Sequence, residues 1–409
     1  MTTEELSELL PRLRFPEFAQ DPGWKHSTVA ALVETVTPPK KLPSTTYLSA
    51  GRFPIVDQSQ KYICGWTNDD EAVITRPLPV IVFGDHTCIL KFIDQPFAQG
   101  ADGIKIFTAK RCLSTVYLYH QLSHMPVVMD QYKRHFSTLK NKVVCFPDPK
   151  SGEQQKIADC LGSLDDLIAA EDGKLEALRQ HKRGLMQQLF PLPGETVPRL
   201  RFTEFRDAPA WKEVSLGTLL VRAPDYGVNA AAVPFSKTLP TYIRITDINS
   251  DGRFAPCPRV SVSVEADEDR YLQDGDIVLA RTGASVGKPY RYREEDGRLI
   301  FAGFLIRVRP HPKRLLSQFL AAYFLTRKYW DWVRLTSARS GQPGINSAEY
   351  ASMSVSLPSN GKNLSEQRKI ADFLNSLDDL IVARGRKLEA LTQHKQGLLQ
   401  QLFPNQESV

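Results

Sequence analysis

Residues 153–191 read EQQKIADCLGSLDDLIAAEDGKLEALRQHKRGLMQQLFP, and residues 366–404 read EQRKIADFLNSLDDLIVARGRKLEALTQHKQGLLQQLFP. The two stretches align without a gap at an offset of 213 residues, and 29 of the 39 aligned positions are identical. A repeat this long and this similar must be accommodated by any fold assigned to the chain.

Each copy is predicted to form one long helix. Apolar residues recur at spacings that alternate between four and three residues, interrupted by Glu171 and Lys182 in the first copy and by Arg384 and Lys395 in the second. This is the heptad pattern of a coiled coil. The apolar positions, called the apolar stripe below, are Ile157, Leu161, Leu164, Ile168, Leu175, Leu178, Leu185, Leu189, Ile370, Leu374, Leu377, Ile381, Leu388, Leu391, Leu398 and Leu402.

The apolar stripe needs a partner to bury it. A helix of about 38 residues is roughly 57 Å long, and a narrow stripe on such a helix cannot be covered by the helix itself. The simplest partner is the other copy, which predicts an intramolecular coiled coil joining two other modules. Two ordinary core helices are the alternative, but such helices usually have only about 8–20 residues.

A second repeat divides the rest of the chain. Residues 11–25 and 198–212 match at 10 of 15 positions, and Trp24 and Trp211 occupy equivalent places in these lead-in segments. The order is therefore lead-in, module and helix, twice, with Pro191 and Pro404 ending the helices. The predicted domains are a first module at 1–150 (lead-in 11–25), a first helix at 151–191, a second module at 192–362 (lead-in 198–212), a second helix at 363–404 and a tail at 405–409.

The composition is that of a soluble globular protein. The 409 residues are 42% hydrophobic and 24% charged, which allows two or three domains. No apolar run approaches the roughly 20 residues that cross a bilayer, and the acidic N-terminus does not resemble a signal peptide. The six cysteines have no zinc-site spacing, so reduced thiols in the cytoplasm are expected.

The positive charge lies between the helices. Residues 26–150 carry 14 basic and 10 acidic side chains, and residues 213–362 carry 20 and 15. The modules therefore have net charges of +4 and +5, whereas the whole chain carries +6, so the excess of positive charge lies on the modules. This distribution suits a polyanionic partner, although many domains reach such a charge without binding nucleic acid.

Both modules show the patterns of mixed α and β structure. Short runs rich in β-branched and aromatic residues alternate with glycine-containing turns. The sequence does not determine how these runs are connected into sheets. Strands are predicted at 80–83, 88–92, 104–107, 143–146, 242–248, 276–280 and 304–308, and helices at 113–122 and 315–335.

The glycine-rich segment 283–288 is not a nucleotide-hydrolysing phosphate loop. Only three residues separate Gly283 from Gly287, and Pro follows Lys288 where that loop requires Ser or Thr. One interpretation is a turn between strands, with both glycines at positive φ. The other is a loop that approaches DNA phosphates or base edges with the side chains of Arg281, Thr282, Ser285 and Lys288.

Three further segments are candidate DNA contacts. The loop at 84–88 carries a histidine without the partner that a metal site needs, residues 132–136 interleave basic and aromatic side chains, and 340–346 is a glycine-punctuated loop with amide side chains able to pair with adenine. The 132–136 cluster is equally consistent with a solvated helix face. The remaining candidates are Gly84, His86, Thr87, Lys91, Lys133, Arg134, His135, Arg339, Gln342 and Asn346.

The chain contains no recognisable catalytic motif. We find no glycine motif for a dinucleotide or S-adenosylmethionine, no Asn-Pro-Pro-aromatic methyltransferase motif and no nuclease set of carboxylates and lysine. No metal ligands stand at suggestive spacing. The sequence therefore predicts a non-catalytic protein.

The repeats identify a family resemblance. Helices that open with EQQKIADCL and EQRKIADFL and close with HKRGLMQQLFP and HKQGLLQQLFP, around divergent modules, resemble those of type I restriction–modification specificity subunits. The phrases RHFSTLKNKVVCFPDP and LQDGDIVLARTGASVGK fit the same family. The resemblance extends from about residue 11 to residue 404.

The resemblance implies a fold and a function. Each module resembles a target recognition domain that reads one half of a bipartite site in double-stranded DNA, which gives an α+β fold. The two helices, with the apolar stripe, resemble regions that pack as an antiparallel coiled coil, set the spacer between half-sites and dock two methyltransferase subunits. Because the modules differ in length by 26 residues, the half-sites are expected to differ.

The resemblance also assigns the chemistry to other subunits. No cofactor is expected in this chain; S-adenosylmethionine is expected on the methyltransferase subunits, and ATP and Mg²⁺ on the restriction subunits that join them. Two alternatives remain open: a specificity subunit of a methyltransferase or nuclease outside the type I class, and a coiled-coil scaffold that binds proteins without DNA.

Overall fold

The structure is a computed structural model that describes residues 10–101, 103–129, 134–249, 251–265, 267–338, 341–359 and 364–404. Residue contacts divide the chain into two compact units. One contains residues 1–172 and 386–409, and the other contains residues 173–385. The two divisions fall 213 residues apart, at equivalent positions of the long repeat. Each unit therefore contains one module, the first half of one repeat helix and the second half of the other.

The first unit has three sheets among its described residues. They are a two-stranded sheet, β1-β10, and two four-stranded sheets with the orders β2-β9-β6-β7 and β4-β3-β8-β5. The strands are β1 (Lys25–Thr28), β2 (Val33–Thr35), β3 (Phe53–Val56), β4 (Gly65–Thr67), β5 (Val73–Ile74), β6 (Val80–Gly84), β7 (Leu90–Ile93), β8 (Phe97–Gln99), β9 (Ile104–Ala109) and β10 (Val143–Phe146).

The helices of the first unit are α1 (Val29–Leu32), α2 (Thr115–His124), α3 (Phe136–Lys140) and the first part of α4 (Glu153–Leu189). Ser114 caps α2, because its hydroxyl accepts a hydrogen bond from the backbone N–H of Tyr117. The buried face of α2 packs in a core that also includes Trp24 and the end of the second repeat helix at Leu402 and Phe403. The second copy of the repeat thus completes the core of the first unit.

The second unit repeats much of this sheet topology. Its two-stranded sheet is β11-β20, and its four-stranded sheets have the orders β12-β19-β16-β17 and β13-β15-β14-β18. The strands are β11 (Lys212–Ser215), β12 (Asp225–Tyr226), β13 (Ala232–Pro234), β14 (Thr241–Ile243), β15 (Val260–Val262), β16 (Ile277–Ala280), β17 (Pro289–Arg291), β18 (Leu299–Phe301), β19 (Leu305–Val308) and β20 (Ser354–Leu357).

The helices of the second unit are α5 (Ser317–Tyr323), α6 (Arg327–Ser337), α7 (Ser347–Ser352) and the first part of α8 (Ser365–Leu402). The single helix predicted at 315–335 is wrong. Thr326 has extended backbone angles and caps α6 with its hydroxyl, so the chain starts a new helix there. Met186, Leu189 and Phe190 of the first repeat copy pack in the core of this unit.

The strand predicted at 242–248 is also shorter than expected. Strand β14 ends at Ile243, and residues Ile245–Asp247 form a 3₁₀ turn. The Asp247 carboxylate accepts hydrogen bonds from the backbone N–H of Arg244 at 2.8 Å and from its guanidinium at 2.7 Å. A local side-chain bond of this kind competes with the strand ladder.

The apolar stripe lies on the protected face of both long helices. All sixteen stripe residues are buried or half-buried. Leu167 and Leu380, which are not in the stripe, are 39% and 45% exposed at equivalent positions of the two copies. The heptad pattern therefore separates the leucines that contribute to the core from those that face solvent.

The two copies of the repeat contribute reciprocal ion pairs inside the two units. In the first unit Lys395 contacts the Asp165 carboxylate, and in the second unit Lys182 lies 2.6 Å from the Asp378 carboxylate. These four residues are equivalent in the repeat alignment. Both lysines interrupt the apolar stripe. Each ion pair therefore gives a charged side chain among apolar neighbours a partner of opposite charge.

A buried carboxylate joins the first lead-in segment to its helix. Glu153, in the first turn of α4, is fully buried. Its oxygens accept two hydrogen bonds from the Arg14 guanidinium, each 2.8 Å long, and one from Trp24 Nε1 at 3.2 Å. Arg14 also donates to the carbonyl of Asp21 at 2.8 Å. One carboxylate thus orients the lead-in segment and the start of the helix together.

The second unit has the same arrangement. Glu366, 1% exposed, accepts hydrogen bonds of 2.7 and 2.9 Å from Arg201 and one of 3.2 Å from Trp211 Nε1. Arg201 also donates to the Ala208 carbonyl at 2.6 Å. In each unit, one buried contact between an arginine, a tryptophan and a glutamate therefore joins the lead-in repeat to the helix repeat.

Replacing Arg201 by Met is expected to lower the free energy of unfolding by about 3–5 kcal/mol, because the Glu366 carboxylate would remain buried without its partner. Chemical denaturation measures the loss. Lys369→Met at the solvent-exposed pair with Glu204 is the control and should leave the unfolding midpoint unchanged. A midpoint for Arg201→Met equal to that of the control would contradict this role.

His120 of α2 lies against the ion pair of the first unit. Its side chain is 2% exposed, and its Nδ1 lies 3.8 Å from the Asp165 carboxylate. Burial, together with the charge of Lys395, lowers the pKa of His120 to about 4, although Asp165 acts in the opposite direction. The imidazole is therefore neutral in the folded chain at pH 7.

Stability is expected to fall between pH 6.5 and about 4. In this range the unfolded chain binds a proton at His120, with an unperturbed pKa near 6.5, and the folded chain does not. The loss should be about 2–3 kcal/mol and should be much reduced in His120→Gln. Denaturation at a series of pH values measures it. His181→Gln, at an exposed position, should keep the wild-type slope, and an unchanged slope in His120→Gln would disprove the assignment.

Candidate nucleic-acid interface

The candidate loop of the first unit is a tight turn between β6 and β7. Gly84 ends β6, and a Cβ atom there would overlap the hydroxyl of Thr87. Cys88 has a positive φ of 57°, and its backbone N–H donates to the Gly84 carbonyl at 2.8 Å. The turn therefore requires glycine at its first position and presents Thr87 to solvent.

Asp85 connects this turn to the basic segment that precedes α3. Its buried carboxylate accepts hydrogen bonds from the backbone N–H groups of His135, at 3.0 Å, and Phe136, at 2.9 Å. The Asp85 carbonyl accepts a further bond from the His135 N–H at 2.8 Å. Two segments predicted separately from the sequence thus adjoin, and the sequence analysis did not identify the aspartate that joins them.

The predicted residues of the first unit fall into two groups. Thr87 and Arg134 are exposed and His86 is half-buried, so their side chains reach the surface. Lys91 and His135 are 3% and 1% exposed. The Lys91 amino group donates to the carbonyls of Asp57 at 2.8 Å and Lys61 at 2.5 Å, which indicates a structural role. Lys133 lies outside the described residues.

The glycine-rich segment of the second unit is a turn between strands. It links β16 to β17 through a short 3₁₀ turn at Gly283–Ser285. Gly283 and Gly287 have φ values of +75° and +86°, which confirms the positive φ expected at both. A side chain at Gly287 would also overlap Val333 of α6. The turn is therefore held close to the helical layer of its unit.

The second predicted loop lies directly beside this turn. The Gly283 N–H donates to the Pro343 carbonyl at 3.0 Å, and the Ile345 N–H donates to the Arg281 carbonyl at 2.9 Å. Thr282 and Gly344 form an isolated antiparallel bridge. Residues 281–288 and 341–346, which are about 60 positions apart in the chain, therefore form one paired loop surface, with Gln342 exposed on it.

Two aromatic residues that the sequence analysis did not select flank this surface. The Arg281 guanidinium stacks over the Tyr226 ring at 4.7 Å, and its backbone N–H donates to the Phe304 carbonyl at 3.0 Å. Tyr226 and Phe304 are 43% and 60% exposed. A guanidinium, an amide and two exposed rings are the groups that contact bases and phosphates. No local motif marks the aromatic residues, because Tyr226 ends β12 and Phe304 lies in the connection between β18 and β19.

Other predicted residues of this unit have internal partners. The Lys288 amino group donates to the Ile248 carbonyl. Asn346 caps α7 by accepting the Glu349 N–H at 2.9 Å, and its own N–H donates to the Glu349 carboxylate. Thr282 and Ser285 are half-buried in the turn. Arg339 lies outside the described residues.

The described parts of the chain contain no group of three or more His, Cys, Asp or Glu side chains arranged to hold a metal ion. None of the described helices combines the length and the apolar character that spanning a bilayer requires.

The sequence comparisons match the chain to one kind of protein. Residues 233–393 match the model of the type I restriction modification DNA specificity domain. The type I restriction enzyme MjaVIII specificity subunit of Methanocaldococcus jannaschii is 23% identical over 291 residues, covering 66% of this chain and 63% of that protein. The putative MjaX specificity subunit of the same organism is 22% identical over 272 residues, covering 63% and 58%. The match spans less than two thirds of either relative.

Two solved structures share the fold. A type I restriction–modification system S subunit from M. genitalium superposes with a TM-score of 0.64 at 17% identity, covering 97% of this chain and 99% of that chain. A structure described for complex assembly and conformational transition of the type I restriction–modification system gives a TM-score of 0.51 at 17% identity, covering 94% and 98%.

Proposed function

We propose that the chain is a type I restriction–modification specificity subunit, the subunit that recognises DNA in such a complex, in keeping with its match to that domain family and its similarity to such subunits. The observation that carries this proposal is the paired loop surface of the second unit. It combines Arg281, Gln342 and the exposed rings of Tyr226 and Phe304. These side chains suit recognition of base edges and the DNA backbone.

We propose that each unit reads one half of a bipartite site. The two units share most of their sheet topology, but their candidate loops carry different side chains. The first presents Thr87, Arg134 and the half-buried His86, and the second presents Arg281 and Gln342. Different donors and acceptors at equivalent places select different bases, so the recognised site is asymmetric.

The two long helices are proposed to pair as an antiparallel coiled coil that sets the spacer between half-sites. The reciprocal pairs Lys395–Asp165 and Lys182–Asp378 support this arrangement, since they bring the end of one copy beside the start of the other. Polar positions in an apolar stripe also specify register.

The same helices are proposed to dock two methyltransferase subunits. Leu167 and Leu380 are exposed at equivalent positions of the repeat, as expected if two identical partners bind two similar surfaces. This chain contributes recognition and no catalysis. S-adenosylmethionine belongs to the methyltransferase subunits, and ATP and Mg²⁺ to the restriction subunits.

Replacing Arg281 by Ala is expected to weaken binding of the cognate DNA about 10- to 100-fold and to relax recognition at one half-site only, because a paired guanidinium discriminates bases by about 1–3 kcal/mol. Methylation mapping of the host genome by single-molecule sequencing measures the second effect.

Arg298→Ala is the matched control for this experiment. Arg298 also stacks on a tyrosine, Tyr271, at 4.0 Å in the same unit, but it lies outside the paired loop surface. Its replacement should leave the methylated motif unchanged. If the methylated motif is also unchanged in Arg281→Ala, the proposed contact of Arg281 with DNA is disproved. If every methylated motif persists after deletion of the whole gene, the proposed function is disproved.

Deleting residues 169–175 together with their equivalents 382–388 is expected to shorten the recognised spacer by about three base pairs or to abolish binding. One heptad shortens a helix by roughly 10 Å, and each base pair occupies about 3.4 Å. Methylation mapping again measures the outcome. Deletion from one helix alone is the control; it breaks the pairing register and should abolish activity. Recognition of an unchanged spacer by the double deletion would rule out a spacer role.

A further inference from the structure

A cleft in the second unit lies apart from the paired loop surface. Two adjoining cavities of about 60 and 220 Å³ are bounded by residues 251–253 and 289–293, by α5 and Leu325 after it, and by faces of α4 and α8 within this unit. Lys182, Asp251, Leu325 and Asp378 line both cavities. The cavities therefore form one continuous site.

This cleft concentrates positive charge. Six cationic side chains face two carboxylates, those of Asp251 and Asp378, so the lining carries a net charge of +4. The whole chain carries only +6. The cations are Arg179, Lys182, Arg183, Arg253, Arg291 and Arg293.

The neighbouring acids compensate this charge incompletely. Lys182 pairs with Asp378 at 2.6 Å, Arg179 with Asp251 at 3.5 Å and Arg183 with the exposed Glu176 at 2.9 Å. Arg253 and Arg293 share one exposed carboxylate, Glu295, at 3.8 Å, so the six cations have four acidic partners. Among the described residues, the Nε atoms of Arg179 and Arg293 are buried without a hydrogen-bond acceptor. Burial, with the charge of Arg253 adding to it, lowers the pKa of Arg291 despite nearby aspartates. Guanidinium donors that crowd together in this way are suited to an anion.

The two repeat helices differ most where they line this cleft. Nine of their positions face the cavities, and five of these nine differ between the copies, against ten of 39 in the whole repeat. Arg179 and Arg183 are replaced in the other copy by Thr392 and Gln396. The added cations therefore belong to the second unit alone.

In the first unit the equivalent helix positions have a different neighbour. The buried imidazole of His120 lies beside Asp165, the counterpart of Asp378. In the second unit Asp378, which pairs with Lys182, has the charge of Arg291 nearby, and no histidine is among the described residues that line the cleft there.

The shape of the cleft indicates the class of ligand. The smaller cavity is lined by Arg291 and Arg293 and has room for a single small anion. The larger one has an apolar floor that includes Met186, Ile381 and Val382. Arginine forms paired hydrogen bonds with phosphate oxygens, and an apolar floor suits the flat face of a base.

We propose that this cleft binds the phosphate group of a nucleotide, with the attached nucleoside over the apolar floor. The site is separate from the paired loop surface and does not depend on sequence recognition. The phosphate can belong to a free mononucleotide or to a DNA strand, which share the chemistry that the arginines recognise.

The test is isothermal titration of the full-length chain with inorganic phosphate, AMP or a short duplex without the recognition site, at constant ionic strength. Binding should weaken at least about tenfold in the double variant Arg291→Gln/Arg293→Gln. The variant Arg179→Thr/Arg183→Gln should weaken binding in the same direction. Since it takes the residues of the other helix copy, it should fold normally.

Lys237→Gln, an exposed charge elsewhere in this unit, is the control and should bind as the wild type does. Binding of AMP that is tighter than binding of phosphate supports a free nucleotide as the ligand, and arginine-dependent binding of the duplex alone supports DNA. Failure of the wild type to bind any of the three probes, or equal losses in the control, would overturn the proposal. Methylation of the genomic motif is also mapped for the variants. If the motif remains methylated, DNA recognition is intact and the result concerns the cleft alone.

Discussion

The buried carboxylate of Glu153, with its counterpart Glu366, is the contact on which the rest of the structure depends. Each carboxylate receives two guanidinium hydrogen bonds and one indole hydrogen bond from a lead-in segment, at the first turn of a long helix. A charge in such a place is tolerated only when it is fully paired. The lead-in and helix repeats are therefore linked: neither could change at these positions without leaving a buried charge unpaired.

The division of the chain follows from the same symmetry. Each unit closes its core with the end of the other repeat copy, as Leu402 and Phe403 do in the first unit and Met186 and Phe190 do in the second. The ion pairs Lys395–Asp165 and Lys182–Asp378 occupy equivalent places in the two units. Each of the two repeat helices therefore begins in one unit and ends in the other. Positions at which the two copies differ therefore distinguish the two units: Arg179 and Arg183 line a cleft in the second unit, and their counterparts in the first unit, Thr392 and Gln396, are uncharged.

Residues of similar type in the candidate DNA surfaces differ in their burial and in their hydrogen-bond partners. The half-buried Arg281 stacks on the exposed Tyr226 ring and donates one long hydrogen bond to the Gly303 carbonyl at 3.4 Å, whereas the Lys288 amino group, seven positions later, is held by the Ile248 carbonyl. Thr87 is exposed, with its hydroxyl donating to the Gln58 carbonyl at 2.8 Å, whereas Lys91 and His135 are buried and bonded to the backbone of their own unit. Basic side chains on the candidate surfaces are therefore not equivalent, since a cation whose donors are taken up by backbone carbonyls is not free to contact a phosphate.

The sequence by itself determined the repeat, the long helices, the apolar stripe and the family resemblance, because a heptad pattern and a repeat of 29 identities in 39 positions are local and cumulative signals. It also predicted the positive φ angles of Gly283 and Gly287. Only the tertiary structure decided the sheet orders, the break of the 315–335 helix at Thr326, and the meeting of the 281–288 and 341–346 loops. These features, like the places of Tyr226 and Phe304 beside Arg281, depend on contacts between residues far apart in the chain. Such contacts produce no periodic pattern in the sequence, because they depend on which strands pair and on which side chains hydrogen-bond to each other in the core.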